Sequence, residues 1–307
     1  MPTDRRNNVA CVILGAGEGH RLRPLTDATP KPLLTILDRP IVDLLLDRVA
    51  QLGDISVFVN LYHAAETFGR HLAARDSPSL LWRTEPTLTG PAGALRIFAN
   101  ELARFKTIIV LSGDVTFGDP LDQLLDAHCA SGAELTFAVT EVTDARRFGV
   151  LELDSTGRVL RAREKPNVPA NEPHWVSAGL YCLQSELLTD IPEDQLFDFA
   201  ADLAPALIAA GRRVQGHRLL GPWSDLGQPS TLRQANLDAV AGGVHMGANV
   251  LMGRGVEVIA PTVIGRDSIL GAGSWIQNSV LLPGTVISPG TVLIDGIVGP
   301  RHSKGME

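Results

Sequence analysis

From about residue 245 to the carboxyl end the chain keeps time in sixes, and no other feature of the sequence restricts the fold so tightly. Apolar residues fall at Met252, Val258, Ile264, Leu270, Ile276, Leu282 and Ile294, with Ser288 the one interruption. Four places after each position stands a small or β-branched residue: Val256, Thr262, Ser268, Ser274, Val280, Val286, Val292 and Val298. A six-residue period matches neither a helix nor a simple alternating strand. It calls for short stacked strands whose inward side chains build one continuous column. Eight consecutive matches argue against a loose glycine-rich tail. The run supplies two to three coils, few enough that they should pack on the preceding domain or on a partner subunit.

Upstream, strand-like and helix-like segments alternate. VACVIL (9–14) is an apolar run that enters a glycine-rich loop, and 41–52 has helical spacing and stops at Gly53. ISVFV (55–59), SLLWR (79–83) and TIIVL (107–111) read as strands, with helices at 64–74 and around 92–103. PLDQLLDAHCASG (120–132) reads as a helix opened by proline and closed by glycine. Such alternation predicts an α/β domain with a Rossmann-like, mostly parallel sheet and helices on both faces. Ligands of such sheets bind beyond the carboxyl ends of the strands, which points to the loops after residues 14, 83 and 111. The expected division is a domain over 1–243 and a repeat domain over 244–307, in keeping with 307 residues being long for one core.

Composition sets outer limits. With 45% hydrophobic and 20% charged residues, the chain has the balance of a soluble globular protein. A formal net charge of −7 argues against a nucleic-acid surface, though not against a nucleotide substrate held by a few local cations. Cys11, Cys129 and Cys182 are odd in number and lack zinc or disulfide spacing. No apolar segment reads as a leader or a membrane span, so a cytoplasmic location is the expectation. The eight histidines show no metal-ligand spacing, Trp82 and Trp275 read as packing residues, and Arg212 and Arg213 read as a solvated strand start.

GAGEGHRLRPLTDATPKPL (15–33) carries the clearest chemistry. A buried strand ending at Leu14 delivers the chain into Gly15, Ala16, Gly17 and Gly19, where backbone N–H groups can approach phosphate oxygens. Arg21 and Lys31 add two cations on a segment stiffened by Pro30 and Pro32. A glycine loop with two fixed cations suits a triphosphate and the charge that develops in phosphoryl transfer. A dinucleotide site would need the glycines to open directly into a helix, and RLRPLT stands there instead. The P-loop pattern is also absent.

This segment resembles the signature of the sugar-1-phosphate nucleotidyltransferases, and RLRPLT followed by TPKPL is especially similar to the mannose-1-phosphate guanylyltransferases. The resemblance extends over nearly the whole chain, and the hexad tail resembles the left-handed parallel β-helix of hexapeptide-repeat proteins. His20 stands where the family usually has threonine, and Ala16 where glycine is common.

The resemblance assigns roles to further residues. Asp114, in LSGDV at the end of an apolar strand, and Asp225, in WSDLGQP, are similar to the family's Mg²⁺-binding pair. The plainer alternative for Asp225 is a cap on the following helix, 229–241. Glu164 and Lys165, in REKP, resemble the pair that binds the acceptor's hydroxyls and 1-phosphate. Gly149, Gly179 and Trp223 match other acceptor positions, while Ser177 stands where asparagine is usual and suggests an altered acceptor such as a cyclitol phosphate. TEPTLTGPAGAL (84–95) resembles the nucleoside loop. There a carboxylate at Glu85 could accept from both N1–H and N2–H of guanine, and Gly90 and Gly93 would let the base lie close to the backbone.

The implied reaction is attack by a sugar or sugar-like 1-phosphate on the α-phosphorus of an NTP, with pyrophosphate leaving. GTP is favoured, with dTTP, UTP or ATP as alternatives. Mg²⁺ is the expected cofactor, and a homo-oligomer, dimer or tetramer, the expected assembly, with no nucleic acid or membrane partner. Two rivals remain. A hexapeptide acyltransferase would need a catalytic histidine at the coils, which His245 and His302 only flank; a non-catalytic sugar-nucleotide sensor would not need the whole charged set.

Overall fold

The computed structural model describes residues 8–75, 79–169 and 171–300. His302 and the carboxyl end of the expected repeat domain lie outside the described residues. The chain divides into two compact units. One is built from the chain up to Gly17 and from Leu45 to Trp223; the other from Glu18 to Leu44 and from Ser224 onward.

The first unit is organised by a nine-stranded mixed sheet. Its strands are β1 (Val9–Leu14), β2 (Ser56–Leu61), β3 (Leu80–Thr84), β4 (Thr107–Ser112), β5 (Leu135–Val142), β6 (Gly149–Leu153), β7 (Val159–Glu164), β8 (His174–Gln184) and β9 (Val214–Arg218). The path runs β7-β6-β8-β4-β1-β2-β3, with β5 paired to β8 and β9 to β5. β3, β2, β1 and β4 are mutually parallel, and β1 is the central strand, with Ala10 through Ile13 fully buried. A strand covered on both faces reads as an unbroken apolar run, which is why VACVIL and TIIVL stand out in the sequence. Beyond β4 the pairing turns antiparallel, and the long strand β8 contacts β4, β5 and β6. Its register shifts between Ser177 and Tyr181, where Gly179 has φ 76°. Bulges of this kind re-aim side chains beside sites.

The helix expected around 92–103 is broken into three short turns, Gly90–Gly93, Ala94–Phe98 and Ala99–Leu102. The first of these contains Pro91 between two glycines, a poor start for a regular helix. The helix Leu121–Ser131 is as expected, entered from Pro120 and closed by Gly132 in the left-handed conformation. Arg212 is not merely solvated, for it forms ion pairs with Glu134 and Asp190. Cys11, Cys129 and Cys182 are free thiols. Among the described residues no helix is long and apolar enough to cross a membrane.

In the second unit three parallel ladders wrap into a short left-handed β-helix. One ladder stacks Val244–Met246, Thr262–Ile264, Val280–Leu281 and Ile297–Val298; the other two have three strands each. This makes three full coils and one side of a fourth, slightly more than the two to three expected. In the first step Met246, Met252 and Val258 stack on Ile264, Leu270 and Ile276, 18 residues on. In the next, Ile264, Leu270 and Ile276 stack on Leu281, Ile287 and Leu293, only 17 residues on. One corner residue has been lost, and the turn is made at Asn278, with φ 46°. The inward column therefore continues through Leu281, Ile287 and Leu293 rather than Leu282, Ser288 and Ile294. The small-residue column continues through Ser279 and Thr285, both buried. Val286 and Val292, expected in that column, point outward instead, 60% and 66% exposed. Ser288 is thus no break in the repeat. A constant period of six was the wrong ruler after Ile276.

Candidate active site

Three groups of expected site residues can be described, two in the sheet unit and one in the coil unit. The first lies at the carboxyl ends of the parallel strands. Leu14 ends β1, and the Gly15 N–H donates to Asn60 Oδ1 at the end of β2, 2.8 Å away. Asn60 Nδ2 donates in turn to Glu85 Oε1 (2.5 Å), and Glu85 Oε2 accepts from the backbone N–H and hydroxyl of Thr89 (3.2 and 2.8 Å). Asn60 and Glu85 are buried, 2% and 4% exposed. A buried relay of this kind ties the entrance of the glycine loop to the segment over 84–95, because each member would be costly to leave unpaired. Gly15 has no room for a side chain: a Cβ there would come within 2.6 Å of Phe68. Ala16 is buried, whereas Gly17 faces open space. The close approach at Gly90 (φ 81°) and Gly93 is made by the chain itself, against the backbone of Phe197 and Gln195 respectively.

The second group surrounds the bulge of β8. Glu164, at the end of β7, and Lys165 pair at 2.7 Å. Glu164 is half-buried; Lys165 is exposed and takes a left-handed conformation, φ 42°. A Cβ on Gly149 would lie 3.0 Å from Glu164 Oε2, so this glycine keeps the space in front of that carboxylate clear. Burial raises the Glu164 pKa, with the Asp198 charge adding to the effect while the Lys165 ammonium opposes it. Ser177 Oγ bonds the Tyr181 hydroxyl at 3.1 Å. Burial pushes that phenol's pKa far up, and the charges of Asp198, Glu164 and Asp114 push it further in the same direction. Trp223 Nε1 donates to the Ala178 carbonyl (2.8 Å), and its ring meets Phe148 edge-on at 5.5 Å. Gly149, Glu164, Lys165, Ser177, Gly179, Trp223 and Asp114 therefore all belong to this unit, on β6, β7 and β8 or in the segments that follow β4, β7 and β9.

The third group gathers charges in the coil unit. Gly19 (φ 66°) turns the chain and its carbonyl accepts from Thr26 Oγ1 at 2.8 Å. His20, the departure in the loop, pairs with Glu18 at 2.6 Å. Arg21, Lys31 and Asp225 then converge on one point, Gly227. A Cβ on that glycine would lie 2.6 Å from Asp225 Oδ1, 2.9 Å from Arg21 Nη2 and 3.3 Å from Lys31 Nζ. The Gly227 N–H donates to Asp225 Oδ1 (2.6 Å), and Lys31 is buried, 7% exposed. Asp225 is not a helix cap, since Gln228 caps the helix Pro229–Ala239 through a capping box. Two cations and a carboxylate thus meet around a position that has no side chain.

Comparison with known proteins decides what this arrangement belongs to. A family model described as nucleotidyl transferase matches residues 10–241. The chain belongs to the nucleotidyl transferase family. This nucleotidyl transferase is 30% identical over 292 residues to a mannose-1-phosphate guanylyltransferase of Mycobacterium tuberculosis, covering 90% of this chain and 80% of the relative. It is 26% identical over 338 residues to a UTP–glucose-1-phosphate uridylyltransferase of Synechocystis, covering 95% and 87%. A crystal structure described as a glucose-1-phosphate thymidylyltransferase of Bacillus anthracis in complex with sucrose superposes with a TM-score of 0.66, at 22% identity, over 75% of this chain and 95% of that one; it supports the fold.

Asn60, Gly227, Tyr181 and Asp198 had no assigned site role in the sequence reading. Asn60 could have been noticed as the polar residue closing an apolar strand at the ligand edge. Asp198 accepts from the N–H groups of Ala200 and Ala201 at a helix start, a capping pattern legible in DFAADL. Gly227 lies in the family-like WSDLGQP, but its significance, like that of Tyr181, lies in what surrounds it.

Proposed function

We propose that this nucleotidyl transferase joins an NTP, with GTP favoured, to a sugar or sugar-like 1-phosphate and releases pyrophosphate. The observation that carries the reading is the convergence of Arg21, Lys31 and Asp225 on Gly227, in a family whose relatives are sugar-1-phosphate guanylyl- and uridylyltransferases. Arg21 and Lys31 would offset the crowded negative charge of the triphosphate, with Lys31 nearest the α-phosphate. Lys165 would hold the attacking 1-phosphate, and Glu164 would accept from the acceptor's hydroxyls. A phosphate monoester is already anionic at neutral pH, so no side chain need take a proton. Positioning and electrostatics would do the chemistry.

Mg²⁺ is the proposed cofactor, with Asp114 and Asp225 as its carboxylates. The donor chemistry fits: both are hard oxygen ligands, and Asp114, Glu164 and Asp198 together set up a negative field felt at Tyr181. Mg²⁺ needs only one or two carboxylates, since it takes most of its ligands from phosphate and water. When bound, the ion would neutralise phosphate charge during displacement.

The preference for GTP draws support from the guanylyltransferase relatives; Glu85, buried and already accepting from Asn60 and Thr89, has one acceptor position left and so would take one N–H of guanine rather than the two expected. Ser177 in place of a longer amide supports an altered acceptor, such as a cyclitol 1-phosphate rather than a common hexose 1-phosphate. The test is a pyrophosphate-release panel of four NTPs against hexose and cyclitol 1-phosphates. Release with one acceptor class and a GTP preference is expected; no release with any pair would overturn the reading.

A further inference from the structure

The hairpin that pairs Thr35–Ile36 with Arg39–Pro40 turns through Leu37 (φ 47°) and Asp38 (φ 67°). Both central residues of such a turn need the left-handed conformation, which aspartate tolerates and leucine resists. A strained turn persists only where its surroundings over-determine it. Here they do. The Leu37 N–H donates to Asn236 Oδ1 (3.0 Å), and Asn236 Nδ2 donates back to the Thr35 carbonyl (3.0 Å), with Asn236 only 1% exposed. The Asp38 carboxylate reaches the first coils. Oδ1 accepts from the Arg266 backbone N–H (2.7 Å), and Oδ2 meets His245 Nε2 at 2.9 Å. Gly247 makes room, since a Cβ there would come within 2.5 Å of Asp38 Oδ2. Within the signature segment Leu25 packs against Gly299, 3.2 Å from where its Cβ would be, on the last coil.

Between these two attachments lies Lys31, and Arg21 stands four residues before Leu25. Little slack is available. Lys31 opens a tight turn in which its carbonyl accepts from the Leu34 N–H (3.1 Å), and the Leu34 carbonyl accepts from Ile41 (2.9 Å). From this we infer that the β-helix is a positioning scaffold for the cationic segment, with Asp38 the residue through which its coils set Lys31. The inference rests on the proposed role of Arg21 and Lys31 in binding the triphosphate.

The experiment uses full-length Asp38→Ala, Lys31→Ala, the double variant and, as a milder change, His245→Ala. Hydrogen exchange of the ligand-free chain reads the scaffold without reference to activity. Peptides over 20–36 should exchange at least about tenfold faster in Asp38→Ala, and by a smaller factor in His245→Ala, while coil peptides keep their protection. Unchanged exchange over 20–36 in both variants overturns the inference. In kinetics, Asp38→Ala should raise the KM for NTP roughly tenfold and leave the acceptor KM within about twofold. Adding it to Lys31→Ala should cause no further loss, because both changes remove one contribution. Full additivity overturns the coupling. Faster exchange together with a silent Lys31→Ala would instead keep the scaffold and discard the proposed triphosphate role of Lys31. If Asp38→Ala does not fold, His245→Ala carries the same two readouts.

Discussion

The two units solve the same problem, holding polar groups still, by different means. In the sheet unit, groups near the ligand edge are tied to one another inside the protein, as in the Gly15–Asn60–Glu85–Thr89 relay. In the coil unit, charges crowd around the space a glycine leaves, as at Gly227. A relay loses function when one partner changes, since the remaining polar atom is stranded. A glycine-centred cluster loses function when volume is added. The contrast teaches that the same substitution type should act differently in the two places.

The largest effects test whether both units contribute to one reaction. Asp114→Ala and Asp225→Ala should each lower turnover by about a thousandfold or more at any Mg²⁺ concentration, measured by pyrophosphate release. Near wild-type turnover in either variant removes that carboxylate from the chemistry. Gly227→Ala should fall close behind, roughly a hundredfold in kcat, because a methyl there would push on the Asp225 carboxylate and the Arg21 guanidinium and crowd Lys31. If it is silent, the convergence is incidental.

Next comes a division of labour. Lys165→Ala should raise the acceptor KM roughly 10- to 100-fold with the NTP KM within about threefold, and Lys31→Ala should do the reverse. Equal effects on both substrates would dissolve the contrast between the two groups. Glu85→Gln should be milder, about tenfold in kcat/KM for GTP, with the ratio of GTP to UTP reduced. A uniform loss over all four nucleotides would assign Glu85 to holding the glycine loop alone.

The smallest effects concern stability. Ile287→Ala, in the shifted inward column, should destabilise the chain by about 2–5 kcal/mol, and Val286→Ala, on the outer surface, by less than about 0.5 kcal/mol in denaturant titration. A reversal would restore a constant six-residue repeat.

Much of the fold is legible because burial on two faces leaves long apolar runs, as in Val9–Leu14 and Thr107–Ser112. The antiparallel half is less so, since β7 carries Arg161, Arg163 and Glu164 among its apolar residues and β8 shifts register at Gly179. The grouping of Glu18–Leu44 with the coils is hidden altogether, because chain proximity suggests the opposite and Asp38 looks like an ordinary turn residue. Among the site residues, Arg21, Lys31 and Asp225 could be chosen by motif, yet their meeting point could not. Gly227 has no side chain to advertise it.

The lost corner residue at Asn278 bears on how such solenoids can be recombined. Because every later ladder inherits the same offset, segments swapped in from a relative must be cut according to corner length. A graft aligned by counting residues would rotate each following rung, exposing its greasy lining and tucking Val286 and Val292 where serine and threonine now sit.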